Sequence, residues 1–343
     1  MAAHRPPPIL TPLAAVILLG AACAVGGGAG DEPVDRSAGT AASAGSAPTV
    51  MAAEPVPTVP DPAPTTAPTT GPTTGSTSDP SPPPAGRFAC RAVDVEATGR
   101  IGRADLVETS GLGAATSDPE VLWAHNDSGR AAGVFAIGLD GRDLGFFELV
   151  RDGVAVPALD VEDIAVVDGS IYLADIGDNG RSRASVHVYV VAEPTPGADG
   201  TIEVARDIEI RYPDGPTDAE ALLVDPRTGD LVILSKDLDD PTGPTGVYVV
   251  EAAAANGEPV TARPAGTIDV AALTASSSRF SLGALAFPGA VTAADVTAAG
   301  DLIGLRTYGS VWLFDRPDGR SLADSLRGAP CEGGAAAESQ GEA

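Results

Sequence analysis

Glu162-Asp163-Ile164-Ala165-Val166-Val167-Asp168-Gly169-Ser170-Ile171-Tyr172-Leu173-Ala174-Asp175-Ile176-Gly177-Asp178-Asn179 holds two short apolar runs joined by a two-residue turn, with acids at both ends. The runs at 164–167 and 171–174 are rich in β-branched residues and too short for helices. Asp168-Gly169 is a hairpin dipeptide, because both of its residues tolerate a left-handed backbone. The acidic phrase at the edges of these runs returns along the chain, as Asn126-Asp127-Ser128-Gly129, as Asp218-Ala219-Glu220-Ala221-Leu222 and, in part, as Gly341-Glu342-Ala343.

Working outward, the β-type runs fall into groups of about four. The first has runs at 121–124, 134–137 and 146–150, with a turn at Asp140-Gly141. The second adds 186–191 and 208–210 to the quoted hairpin. The third holds 221–224, 231–234, 247–250 and 265–268, and the fourth 294–296, 302–305 and 311–314. Groups begin near 110, 162, 220, 294 and 342, and the long third interval predicts an insertion near Ala271 to Ser278. No helical pattern of useful length separates the groups. Repeats of four short antiparallel strands predict an all-β fold, a β-propeller of five or six four-stranded blades. A β-sandwich ranks second, since it predicts neither the period nor the returning phrase. Glu342 reads as the opening of a further blade, so the last blade is expected to be truncated. An early strand around Ala104 to Glu108 is expected to complete the ring.

The phrases Trp123-Ala124-His125-Asn126-Asp127-Ser128-Gly129, Glu162-Asp163-Ile164-Ala165, Asp175-Ile176-Gly177-Asp178-Asn179 and Asp218-Ala219-Glu220-Ala221-Leu222 resemble those of exported, largely uncharacterised bacterial β-propellers. That group is broadly similar to phytase-like and gluconolactonase-like propellers. The resemblance covers about 104–343 and is more specific for fold than for activity. It implies calcium in a central funnel for some relatives, and phosphoesterase or lactonase activity for others.

Each blade's first strand would line the channel, and the loops after the second strands would shape one mouth. Glu162, Asp163, Glu220, Asp295 and Glu342 are expected at first-strand starts. Asn126, Asp127, Asp175, Asp178 and Asn179 are expected after second strands. Converging, they would offer the hard oxygen ligands that Ca²⁺ takes, and a cation would relieve the repulsion among them. Taken singly, Asp and Asn in such loops are better explained as Asx turns accepting backbone N–H bonds than as ligands. Lys236 is the chain's one lysine. It stands where other groups carry acids or amides, and Arg306 is expected at the matching place in the fourth group.

Two functions follow as expectations. The first is an extracytoplasmic binding or scaffold module with a calcium site, taking a small anion or a cell-envelope or protein ligand. The second is a metal-assisted hydrolase of phosphoesters, esters or lactones. There Glu162 or Glu220 would act as base, Lys236 or Arg306 would hold the anion, and His125 would be a base or ligand. No Gly-x-Ser-x-Gly elbow or Cys/His zinc pattern exists.

The 343 residues carry 47 Asp+Glu against 21 Lys+Arg, a formal net charge of −26. Such a surface repels phosphate backbones, which argues against nucleic acid as a partner. The start of the chain, with Arg5, an apolar run at 9–20 and small residues before Cys23, reads as a secretory signal over 1–23. Leu19-Gly20-Ala21-Ala22-Cys23 is similar to a lipobox, with Gly20 where Leu is usual. A lipid anchor on Cys23 is favoured over ordinary cleavage, and it would be the only membrane attachment. Residues 24–86 are Pro, Thr, Ser, Ala and Gly-rich and read as a disordered stalk. A propeller domain is expected over 87–343, as a monomer. Cys90 and Cys331 bracket that domain. In an exported protein they can pair, closing a loop of about 240 residues worth roughly 5 kcal/mol in the chain-entropy model.

Overall fold

The computed structural model describes residues 90, 96–128, 131–254, 258–277, 279 and 281–334. The expected signal segment, Cys23, the expected stalk and Glu342 lie outside the described residues. So does any fifth blade opening at Glu342.

Strands β1 (Thr109–Ala114), β2 (Val121–Asn126), β3 (Gly133–Gly138) and β4 (Asp143–Arg151) form blade 1, followed by the short β5 (Val154–Ala155). Blade 2 holds β6 (Asp163–Val167), β7 (Ser170–Asp175), β8 (Val186–Ala192) and β9 (Gly200–Arg211). Blade 3 holds β10 (Ala219–Val224), β11 (Leu231–Ser235) and β12 (Thr245–Val250), with β14 (Arg263–Ile268) outermost, preceded by β13 (Val260–Thr261). Blade 4 holds β15 (Val291–Val296), β16 (Leu302–Thr307), β17 (Val311–Asp315) and β18 (Cys331–Glu332). Within each blade the neighbours pair antiparallel in chain order. The first strands β1, β6, β10 and β15 pack on one another in sequence, and β15 comes back to β1. Four antiparallel sheets around one axis, inner strand first, are a β-propeller.

The elements form where the sequence predicts them. Asp168 and Gly169 have φ of 49° and 72°, the double left-handed turn that a two-residue hairpin requires. Alternate residues of each blade face its neighbours, so the apolar layers lie between blades. Trp123, Val134, Ile164 and Leu173 fill the layer between blades 1 and 2. Val188, Ile210, Leu222 and Ile233 fill the next. Leu223, Leu234, Ile303 and Trp312 fill the third. The far face of blade 1, with Leu112, Phe135 and Ile137, is covered by Leu106 and Ile101.

Residues Ala104 and Asp105 form a turn and Leu106 and Val107 are irregular, so the strand expected at 104–108 does not form. Asn126 explains why. Its side-chain oxygen accepts from Val107 N (2.9 Å) and Glu108 N (3.1 Å), and its amide donates to Asp105 O (2.8 Å). These bonds hold the segment as a loop against blade 1. The predicted insertion is two short helices, α1 (Val270–Ser276) and α2 (Leu282–Ala286), capped by Asp269 and Ser281. A third, α3 (Leu322–Ser325), precedes β18.

Two devices tie distant parts of the chain together. Strand β9 pairs in parallel with β4 over Gly200–Glu203, antiparallel with β8 further along, and in parallel with β13 near its end. Cys90 is disulfide-bonded to Cys331 with Cα atoms 5.6 Å apart, 241 positions away in sequence.

Candidate functional site: an acidic funnel mouth

The loops before each first strand and after each second strand share one face. Val161 N donates to Asp127 O, Asp178 N donates to the Asp218 carboxylate, and Gly289 N donates to Pro241 O. These bonds join the loops of blades 1 to 2, 2 to 3, and 3 to 4.

A repeated irregularity builds the mouth. The ladder register shifts between Thr109 and Gly111 in β1, between Ala219 and Ala221 in β10, and between Val291 and Ala293 in β15. Ser110, Glu220 and Thr292 are therefore the extra residues of three equivalent β-bulges. Glu162, just ahead of β6 with its N–H on Ala174 O, holds the matching place in blade 2. A bulge re-aims its side chain, and all four are buried. Ser110 Oγ donates to Glu162 O at 3.1 Å and lies 3.5 Å from Glu162 Oε2.

A second set of groups follows the second strands. Asp127, Lys236 and Tyr308 are each the first residue after β2, β11 and β16. Lys236 Nζ bonds Glu220 Oε1, both side chains nearly inaccessible, and lies 5.5 Å from the centre of the Tyr308 ring. Burial lowers the Lys236 ammonium, but the Glu220 carboxylate and Tyr308 more than offset this, and its pKa is raised.

Ligand atoms of Asp127, Asp160 and Glu162 lie within 4.8 Å of one another. The Glu162 carboxyl is pushed up to about 11, first by burial and then by the facing charges of Glu220, Asp127 and Asp160, with Lys236 opposing. Three oxygen donors crowded at a buried carboxyl match what a hard divalent cation takes.

The other expected ligands lie outside this triad. Asp175 ion-pairs with Arg183 at 2.7 Å and accepts from Leu159 N and Asp160 N, so it shapes the loop that presents Asp160. Asp178 accepts from Ser182 N and Arg183 N in a turn, and Asn179 is exposed beside it. Asp163 accepts from Ile164 N, Leu222 N and Ala294 N at the axis. Asn126 is the loop clamp described above. Asp295 is the fifth residue of β15 and not at its start, because that strand begins at Val291. Burial pushes it up to about 6. Arg306 lies inside β16, which runs two residues past the apolar run, so Tyr308 takes the place expected of Arg306. His125 is 1% exposed: Nδ1 bonds Asn126 O, and Nε2 has no hydrogen-bond partner among the described residues. Gly111 lies across from it, where a Cβ would stand 2.5 Å from Nε2, so the ring packs between blades 1 and 2. Burial holds it down near 4.

Asp160 and Tyr308 are the members that sequence reading missed. Asp160 sits two residues ahead of Glu162, and Tyr308 sits in Thr307-Tyr308-Gly309-Ser310, the fourth blade's counterpart of Asn126-Asp127-Ser128-Gly129.

No protein-family model matches the chain, and no curated protein matches it. Among solved structures it is similar to a chain of the nidogen–laminin complex, with 11% identity and a TM-score of 0.34, over 64% of this chain and 62% of that one. It is also similar to the Dos1 propeller, with 11% identity and a TM-score of 0.31, over 62% of this chain and 46% of that one. The chain thus spans less than two thirds of either structure.

Proposed function

We propose that this chain is an exported, extracytoplasmic β-propeller binding module whose funnel mouth holds a divalent cation, with Ca²⁺ the best match to its donors. The observation that carries this reading is the convergence of Asp127, Asp160 and Glu162, with Glu162 buried among like charges. A cation there would replace a protonated, repelling cluster with a neutralised one. Lys236 is already bonded to Glu220, which lies outside this triad.

The test is thermal unfolding with calcium chloride or EDTA. At calcium 100-fold above Kd the midpoint should rise by about 5–10 °C. Asp127→Asn with Glu162→Gln should remove that rise while leaving the EDTA midpoint at least as high. A wild-type midpoint indifferent to calcium, magnesium and manganese would sink the proposal.

The second reading, a metal-assisted hydrolase, draws on Lys236 and Tyr308 beside the triad, where an ammonium and a phenol could orient a cation-bound anion. Turnover of a phosphoester and lactone panel, lost on EDTA and in Glu162→Gln, would favour it over a binding module.

A further inference from the structure

The exposed large apolar side chains among the described residues are Val107, Val154, Leu159, Leu238, Leu282 and Leu285. Five of them lie in a loop or helix on the funnel face, before β1, between β4 and β6, between β11 and β12, or between β14 and β15, and Val154 lies in the short β5 hairpin between β4 and β6. The opposite loops carry none among the described residues. Single exposed apolar residues need no explanation, but confinement to one face does. Leu282 and Leu285, 73% and 70% exposed, stand on α2. That helix lies over Tyr308, since a Cβ on Gly283 would lie 2.8 Å from the ring. Leu238 follows Lys236 in sequence and Leu159 precedes Asp160, so the aliphatic groups border the mouth itself.

The charge of this face is one-sided. Among the described residues its cations are engaged, as in Arg181 with Asp237, Arg183 with Asp175, Lys236 with Glu220 and Arg279 with Glu332. Glu108, Asp152, Asp214, Asp239 and Asp240 are exposed, and no arginine or lysine bonds them among the described residues. A second copy of this chain would bring like charge against like charge, and an anionic lipid surface would be repelled. Apolar anchors within an acidic rim complement a cationic, aliphatic surface.

We propose that the funnel face docks a basic segment of another protein, its leucine- or valine-type side chains against Leu282, Leu285 and Leu238 and its arginine or lysine side chains against the rim acids. This goes beyond the cation site and does not depend on it, because the rim groups lie outside the carboxylate triad.

The test uses the full chain and three labelled twelve-residue peptides, alternating arginine with leucine, arginine with serine, and glutamate with leucine. Binding is read by fluorescence anisotropy with EDTA and again with calcium. The arginine–leucine peptide should bind at least tenfold more tightly than either other peptide, and in both buffers. Leu282→Ser with Leu285→Ser, on exposed positions that leave the fold intact, should weaken it about tenfold. Asp239→Asn with Asp240→Asn should flatten its salt dependence. Equal binding of the two arginine peptides, unchanged binding by the leucine variant, or no binding below about 1 mM overturns the proposal. So does a dimer in sedimentation that the leucine variant abolishes, which would assign the face to self-association.

Discussion

The Asp163 carboxylate accepts a hydrogen bond from Ala294 N at 3.2 Å, across 131 residues of chain. The same oxygen accepts from Leu222 N at 2.8 Å. One side chain at the start of β6 thus satisfies backbone donors on β10 and β15, and three blades share a single acceptor at the axis. Asp163→Ala would leave two buried N–H groups without a partner and should cost roughly 2–4 kcal/mol in urea unfolding. Asp163→Asn keeps one acceptor oxygen and should recover part of that loss. Equal stability of Asp163→Ala and the parent protein would refute the hub role.

Glu220 and Lys236 form a buried pair, with side chains 3% and 6% exposed. Removing one partner strands the other charge, so Lys236→Met should destabilise by about 3–5 kcal/mol. Glu220→Gln combined with Lys236→Met should be milder than Lys236→Met alone. Denaturant midpoints of the single and double variants measure this coupling, and additivity would mean that the pair does not interact.

The buried carboxyls set a pH dependence with a defined sign. Glu162 titrates near 11 in the folded protein against 4.5 ordinarily, and Asp295 near 6 against 3.8. A raised folded pKa means that folding retains a proton, so stability is greatest below the ordinary value and falls as pH rises. His125, held near 4 against 6.5, works oppositely, but only below 6.5. In EDTA the unfolding midpoint should therefore fall between pH 6.5 and pH 8.5, where Glu162 contributes, together with Asp163, whose carboxyl is also raised by burial well above its ordinary value. Glu162→Gln should make the fall shallower, and so should saturating calcium. Midpoints across that range in EDTA provide the check.

Arg316 and Asp225 make a two-pronged contact at 2.8 and 2.7 Å, both side chains 4% exposed. It joins the end of β10 to the end of β17, on the side opposite the mouth. Burial raises the Asp225 carboxyl, but the Arg316 guanidinium outweighs this and holds it below the ordinary range. Its stabilisation is therefore present at neutral pH and is lost as acid protonates it. Arg316→Lys keeps the charge but not the fork, and should still cost about 1–3 kcal/mol in chemical unfolding.

The propeller was legible because its signals are local. Hairpins such as Asp168-Gly169, β-branched runs and the period of acidic phrases each depend on a few neighbouring residues. The site was only half legible because position within a blade turns on one or two residues. β16 extends past Leu305 to Thr307, which replaces Arg306 by Tyr308 at the mouth. β15 begins at Val291, which carries Asp295 away from the strand start. The bulges that align Ser110, Glu220 and Thr292 leave no composition signal at all. Nor could sequence separate the acids with backbone duties, such as Asp163, Asp175 and Asp178, from Asp127, Asp160 and Glu162, because the residue types are the same.

Strand β9 gives the ring a direction of failure. By bonding β4, β8 and β13 it crosses from blade 1 through blade 2 to blade 3, so those blades cannot peel apart one at a time. Blade 4 lies beyond its reach, and Cys331 there is fastened to Cys90 instead. Under reducing conditions blade 4 keeps its packing, the Asp163 bond and the Arg316–Asp225 fork but loses its covalent tie, so it should be the first to detach. The protein's resistance to pulling or proteolysis would then depend on its redox surroundings, while blades 1 to 3 stay together as one unit.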